Sequence, residues 1–267
     1  MTKASSASSS KVGALLRDAK AEGALSKHSL NILSNDDIGE QIAAGLGTPA
    51  LTVNATEVVL VSSLIDDSSS IRFVAGNTEA VRDGHNLLLG ALGGSKASEG
   101  IQVACRYLNG TILYDYRPLA GAVQMSSSNY DPCGGTPLYD QTVVFLGGVL
   151  VKTQEFAQQG VPVRSVSVIV TDGRDEGSVK HKAKDCASLA QDLVLQENHV
   201  VAFMGIDDGH MDFRAIALEM GVRDEWILTP KNTPSEIRKA FALVSKSAVR
   251  VSQAANFSQA AAGGFAG

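Results

Sequence analysis

Apolar and polar residues alternate along the middle of the chain in blocks that match the lengths of buried strands and amphipathic helices. Largely apolar runs of strand length occur at residues 58–65, 163–170 and 200–204, and such runs are typical of strands buried on both faces of a sheet. Apolar residues at helical spacing predict helices between and after them, over residues 70–92, 137–159, 179–197, 213–220 and 234–252. The alternation of strand and helix predicts a mostly parallel sheet covered on both faces.

A hairpin interrupts this alternation. Two strand-like runs, 101–108 and 111–116, flank Asn109-Gly110, and both turn residues tolerate positive φ. With a further short strand at 225–228, the predicted fold is a doubly wound, Rossmann-like α/β fold. Its sheet has six strands, mostly parallel, with one antiparallel edge strand, and helices cover both faces.

The two ends of the chain differ from the middle in composition. Residues 1–56 are rich in Ser, Ala and Gly, with a short helix predicted near 12–20, and we interpret them as an arm with little core of its own. Residues 253–267 are interpreted as a flexible tail. One domain is therefore expected over residues 57–252.

Composition and charge narrow the classes of function. The chain of 267 residues has a net charge of −5 and no Lys/Arg run, so it lacks the basic face that nucleic acid requires. No apolar segment approaches the roughly 20 residues that span a bilayer. Three widely spaced cysteines suit neither a disulfide scaffold nor a zinc site. Since the N-terminus shows no apolar signal segment, we expect a cytoplasmic protein without nucleic-acid or membrane partners.

Polar side chains follow two predicted strands and precede one helix. Asp66-Asp67-Ser68-Ser69-Ser70 follows the first strand, Thr171-Asp172-Gly173 follows residues 163–170, and Gly134-Gly135-Thr136-Pro137 opens a helix. Ligands collect at the carboxyl ends of strands in doubly wound sheets. Carboxylates and hydroxyls without His or Cys are hard oxygen ligands, which suit Mg²⁺, with Mn²⁺ or Ca²⁺ as alternatives.

The motif Asp66-x-Ser68-x-Ser70, with Thr136 and then Asp172, resembles the metal-ion-dependent adhesion site of von Willebrand factor A domains. The resemblance runs from about residue 57 to residue 252. It implies that these five residues hold a divalent cation, whose open position captures an Asp or Glu carboxylate of a partner protein. Two positions depart from the family pattern: Ser69 replaces the usual Gly, and Asp67 replaces the usual Thr or Ser.

Four further residues are candidates for contact with that partner. Asp67 and Arg174 adjoin the motif, and Asp207 and Asp208 follow another strand that ends at the same rim. Simpler roles remain open: Ser70 and Thr136 also suit helix N-caps, Asp172 suits a turn, and residues 207–210 suit a solvated loop.

Three functions compete. The first is a non-enzymatic binding module, which by the resemblance acts as an adaptor for a MoxR-type AAA+ ATPase or in a stress or conflict system, with movement of the last helix as a switch. The second is an assembly subunit whose tails drive complex formation. The third, a metal-dependent phosphohydrolase, is disfavoured because position 68 is Ser where a second Asp is needed and no phosphate-binding loop occurs. The oligomeric state stays open.

Overall fold

The structure, a computed structural model, describes residues 3–95 and 98–266. Its centre is a six-stranded sheet in the order β3-β2-β1-β4-β5-β6. Only the β2–β3 pair is antiparallel. The strands are β1 (Val58–Ile65), β2 (Ile101–Tyr107), β3 (Ile112–Pro118), β4 (Val163–Thr171), β5 (His199–Gly205) and β6 (Ile227–Leu228). The predicted fold class is confirmed, including the Asn109-Gly110 hairpin, where Gly110 has a φ of 90°.

Nine helices are found in the described residues. They are α1 (Lys3–Ala21), α2 (Lys27–Leu33), α3 (Asp36–Gly45), α4 (Asn77–Gly93), α5 (Leu138–Ala157), α6 (Ala183–Leu195), α7 (Phe213–Glu219), α8 (Pro234–Ser252) and α9 (Phe257–Ala262). Helices α4 and α8 pack together on one face of the sheet, and α5 and α6 cover the other. Within the ranges described, no helix is long and apolar enough to cross a membrane.

Helix starts follow local capping. The helix predicted from residue 70 begins at Asn77, because residues 69–73 form a separate 3₁₀ turn and Gly76 precedes α4 with a φ of 88°. Thr233 caps α8 as predicted: its hydroxyl accepts a hydrogen bond from the amide of Glu236, and Pro234 occupies the first helical position.

The N-terminal region differs from the predicted arm. Helices α1, α2 and α3 pack on α5, and their apolar side chains are buried in the same core as the sheet, among them Val12, Leu16, Leu33, Ile38 and Ile42. These helices pack on the domain because a few apolar residues at helical spacing suffice to bury one helix face, even where Ser and Ala dominate the composition.

The segment before β1 also lies along the outer edge of the sheet. The amide of Thr48 donates to the carbonyl of Tyr116 in β3, at 2.7 Å. Gly47 has a φ of 54°, and a Cβ there would lie 2.1 Å from that carbonyl oxygen, so this close approach requires glycine.

The C-terminal tail, predicted to be flexible, packs as well. Phe257 and Phe265 are buried, and the ring of Phe265 meets Trp226 edge-on with centroids 4.9 Å apart. The indole of Trp226 donates to the carbonyl of Ala261 at 2.7 Å. Two aromatic anchors and one buried hydrogen bond therefore fix residues 257–265 against the domain.

Candidate metal centre

Two neighbouring parallel strands, β1 and β4, deliver the two central carboxylates to one rim of the sheet. Asp66 directly follows β1, and Asp172 directly follows β4. The third segment reaches the rim through the loop before α5, which forms an isolated bridge from Gly134 to Ser68. The structure thus brings Asp66 together with Thr136 and Asp172, which follow it by 70 and 106 residues in the sequence.

Asp66 organises the backbone of the rim. Its Oδ1 accepts a hydrogen bond from the amide of Ser68 at 2.7 Å. Its Oδ2 accepts from the hydroxyl of Thr171 at 2.5 Å and from the amide of Asp172 at 3.3 Å. Asp66 is fully buried, so this carboxylate fixes the positions of the next residues of the motif.

The hydroxyls of Ser68 and Ser70 converge on Asp172. Their Oγ atoms lie 2.9 Å apart. Ser70 Oγ donates to Asp172 Oδ1 at 2.7 Å, and Ser68 Oγ lies 3.4 Å from the same oxygen. Three side-chain oxygens from two distant segments therefore share one small volume.

Thr136 lies beside this cluster and outside its hydrogen bonds. A Cβ at Gly173 would lie 3.3 Å from Thr136 Oγ1, which places the hydroxyl against the backbone next to Asp172. The Thr136 carbonyl accepts from the amides of Leu138 and Glu176, at 2.8 and 3.0 Å. These two bonds fix the Thr136 loop to the loop that follows β4.

Backbone hydrogen bonds also join the first motif to the loop before α5. The carbonyl of Asp67 accepts from the amides of Cys133 and Gly134, at 2.9 and 3.0 Å. The amide of Ser69 donates to the carbonyl of Gly134 at 3.2 Å. These backbone bonds hold the first motif against the loop before α5 without help from side chains, as the bond from Glu176 to Thr136 holds that loop against the one after β4.

Asp67, expected to contact a partner, is buried instead. Its Oδ1 accepts from the amide of Asn109 at 3.0 Å, in the turn between β2 and β3. Burial raises the pKa of its carboxyl to about 6. The side chain therefore supports the hairpin turn and is not accessible to another protein, which corrects the expectation.

The other three candidate partner residues lie on exposed loops. Arg174 pairs with Glu176 at 3.2 Å, and both side chains are largely exposed. Asp207 and Asp208 follow β5 and accept hydrogen bonds from backbone amides two residues ahead. The structure places these loops after β4 and β5 but gives none of the three a contact with the motif residues, so their role in binding stays a prediction.

Sequence reasoning missed two supporting residues. Tyr130 is buried, and its hydroxyl donates to the carbonyl of Asp66 at 2.6 Å. Thr171 was noted only as part of a polar segment, whereas its hydroxyl holds Asp66 directly. No local signal marks Tyr130, because the contact joins residues 64 positions apart. Thr171 was detectable as a hydroxyl ending a strand beside the motif.

The two carboxylates lie close together without a cationic neighbour. Burial raises the pKa of Asp66. Burial, and then the charge of Asp66, raises the pKa of Asp172 to about 7. No Lys or Arg forms an ion pair with either carboxylate in the described part of the chain. A bound cation would supply the missing positive charge and favour the ionised form of both groups.

The donor set suits a hard cation. No cluster of three His, Cys, Asp or Glu side chains capable of holding a metal occurs in residues 3–95 and 98–266. A metal here would therefore depend on hydroxyl oxygens beside the two carboxylates. Oxygen-only coordination with few charges is typical of Mg²⁺ and related ions, which keep part of their water shell.

Two exposed apolar side chains belong to the loops that carry the motif. Phe73 ends the 3₁₀ turn that contains Ser70 and is 78% exposed. Val179, in the loop after Asp172, is 88% exposed, and its amide donates to Asp140 in the first turn of α5. Both side chains are therefore accessible for apolar contact at the loops that carry the motif.

Comparison with known proteins supports the fold. No protein-family model matches the sequence, and no curated protein matches it. Two crystal structures of the pilus adhesin SpaC from Lactobacillus rhamnosus GG match 74% of this chain at 14% identity, with TM-scores of 0.52 and 0.54. The match spans only about 30% of the SpaC chain.

A lower similarity is found to proximal thread matrix protein 1 from the mussel byssus. The structure of that protein with a zinc-occupied MIDAS motif has a TM-score of 0.47 at 18% identity over 74% of this chain and 47% of that chain. At these identities the SpaC matches show a shared fold and nothing further. The chain thus has the von Willebrand factor A type of fold that its sequence motif predicts.

Proposed function

We propose that this chain is a metal-dependent protein-binding module that captures an acidic side chain of a partner protein and catalyses no reaction. One observation carries the proposal: Ser68, Ser70 and Asp172 converge within hydrogen-bonding distance beside Asp66, with Thr136 adjacent. Two ionisable carboxylates without a cationic partner, surrounded by hydroxyls, form a ligand set for a hard divalent cation.

The five motif residues would hold the cation, which supplies positive charge at the rim when bound. Because three of them are neutral hydroxyls, only two carboxylate charges would face the bound ion, which would keep a coordination position open toward solvent. Asp66 would act mainly through its bonds to Ser68 and Thr171, which orient the ligands. An Asp or Glu of a partner then binds where the cation is accessible.

The exposed groups around the rim define the chemistry of the partner. Phe73 and Val179 offer apolar contact, and Arg174, Asp207 and Asp208 offer charged contact. We infer that the partner presents a carboxylate beside an apolar side chain. The hard oxygen ligands favour Mg²⁺ as the ion, and we further propose a cytoplasmic location. The family resemblance adds a MoxR-type AAA+ ATPase as the partner.

The metal itself is the first test. Titration of the full-length protein with Mn²⁺, followed by the electron paramagnetic resonance of free Mn²⁺, should show one site that Mg²⁺ displaces. Thr136→Ala should weaken Mn²⁺ binding at least tenfold, whereas Ser128→Ala, which removes an exposed hydroxyl elsewhere on the same loop, should bind as the wild type. Equal binding by both variants would contradict the proposed site.

Partner capture is the second test. The wild-type chain should retain a partner from a lysate of its source cells in Mg²⁺ and release it in EDTA, and Asp66→Ala should retain none. Circular dichroism should show that the variant is folded. A partner retained equally in EDTA would mean that binding does not use the metal.

A further inference from the structure

A cavity lies between the N-terminal helices and the sheet, on the face that α5 covers. Its volume is about 30 Å³, which accommodates one or two species the size of water. Its lining is mostly apolar and comes from α3, α5 and the first three strands, including Ile42, Gly45, Ile112, Val144 and Phe145. One charged residue, Arg106 of β2, also lines it.

Arg106 is a buried cation without a counter-ion. Its side chain is 8% exposed, and its Nε has no acceptor. Its one hydrogen bond within the described residues is long, 3.5 Å from an Nη to the carbonyl of Gly110, and no carboxylate there pairs with it. Burial lowers the pKa of the guanidinium to about 10, which still leaves it charged at neutral pH.

Three other hydroxyl groups of the lining residues are already hydrogen-bonded. The hydroxyls of Ser62 and Tyr116 bond to each other at 2.7 Å. The hydroxyl of Tyr114 bonds to His85 Nε2 at 3.0 Å. A water molecule in the cavity would find few partners, whereas buried waters usually make about three hydrogen bonds. Water would also leave the buried positive charge uncompensated, which is costly in an apolar environment.

We propose that this cavity binds a small monovalent anion of the halide class, with chloride as the physiological ligand, against the guanidinium of Arg106. The small volume favours a monatomic anion over sulfate, phosphate and larger anions. A monovalent anion loses less hydration energy on entering an apolar site than a divalent one does. Because Ile42 and Gly45 of α3 also line the cavity, the ion stabilises the contact between the N-terminal helices and the sheet.

Thermal unfolding of the full-length protein tests the site. At constant ionic strength, replacing sodium gluconate by NaCl or NaBr should raise Tm by about 3 °C, whereas sodium sulfate should give no rise beyond its general effect on proteins. Arg106→Gln should abolish the difference between halide and gluconate. Arg174→Gln, which removes an exposed guanidinium, should retain it.

Crystals of the wild-type protein soaked in bromide provide a test that needs no variant. An anomalous peak within about 3.5 Å of an Arg106 nitrogen would support the proposal. Density for water alone, without a bromide peak, would overturn it. The proposal would also be overturned if Arg106→Gln folded and kept the full response of the wild type to halide.

Discussion

Two opposing influences act on the ionisation of the Asp172 carboxyl group while no cation is bound. It accepts a hydrogen bond from Ser70, which favours the charged form, yet it is buried close to Asp66, which favours the neutral form. Burial and the neighbouring carboxylate prevail, because the pKa of Asp172 rises to about 7. The residue is thus poised to exchange a proton for a metal ion near neutral pH.

The stability of the metal-free protein should depend on pH through this residue. A raised pKa in the folded state means that the stabilisation is complete at low pH and is lost as pH rises toward 7. We therefore expect Asp172→Asn to become more stable relative to wild type by roughly 2 kcal/mol between pH 5 and pH 8 in EDTA. Denaturant unfolding at each pH measures this difference.

Saturating Mg²⁺ should reduce that pH dependence in the wild type and leave it unchanged in Asp172→Asn. A difference between the two proteins that stays constant from pH 5 to pH 8 would show that the ionisation of Asp172 is not linked to folding.

The exposed side chain of Phe73 is expected to contact the partner protein. With 78% of its surface exposed, it contributes little to the core, so Phe73→Ser should change Tm by no more than about 2 °C. The same substitution should weaken binding of the metal-dependent partner about tenfold or more, as loss of an aromatic contact at an interface does. Isothermal titration with the purified partner measures the affinity.

Leu195 provides the matched control. It is 79% exposed at the end of α6, in the segment that leads into the start of β5, away from the rim. Leu195→Ser should leave the affinity unchanged. Equal loss of affinity in both variants would point to a general surface effect.

At the scale of elements, the close contact of α4 with α8 depends on a glycine. A Cβ at Gly84 would lie 2.2 Å from a ring carbon of Phe241, which is buried in α8. Gly84→Ala should therefore destabilise the protein by about 1–3 kcal/mol through overpacking. The free energy of unfolding in urea is the measurement.

Gly90 lies in the same helix with nothing within 4 Å of an added Cβ. Gly90→Ala should stabilise the protein by roughly 0.5–1 kcal/mol, because alanine loses less backbone entropy in a helix. Gly84→Ala should therefore lower the free energy of unfolding, and Gly90→Ala should raise it. Equal effects would mean that α4 and α8 separate readily.

At the scale of the molecule, a buried ion network connects the N-terminal helices to the rest of the domain. Lys152 of α5 is completely buried and pairs with Glu155 at 2.7 Å. Glu155 pairs in turn with Lys11 of α1 at 2.6 Å, and Lys152 also donates to the carbonyl of Thr48. One glutamate therefore links two lysines that lie 141 residues apart in the sequence.

Glu155→Gln should cost about 3–5 kcal/mol, because it leaves Lys152 charged and buried without a counter-ion. Asp83→Asn, which breaks an exposed pair with Arg238, should cost less than about 1 kcal/mol. Chemical denaturation of both variants provides the comparison. A small cost for Glu155→Gln would indicate that water reaches Lys152.

Different parts of the molecule were predictable from sequence to different degrees. The strand β1 begins and ends at the predicted residues, and Asp66, Ser68, Ser70 and Asp172 meet as predicted, because strand ends adjacent in a parallel sheet must share a rim. The sequence predicts a helix within α1, but Tyr130, the helices α2 and α3 and the packing of all three N-terminal helices were missed. Their contacts with Asp66 and with α5 join distant segments, and no local periodicity encodes such pairing.

The hydrogen bond from Thr48 to Tyr116 has a consequence for self-association. It occupies one acceptor on the outer side of β3, where the unpaired backbone groups of a terminal strand would otherwise invite another chain to add a strand. The N-terminal segment therefore acts as a cover against polymerisation of the sheet. Proteolytic removal of that cover would expose the edge of β3 and make the domain prone to form fibrils or disordered aggregates.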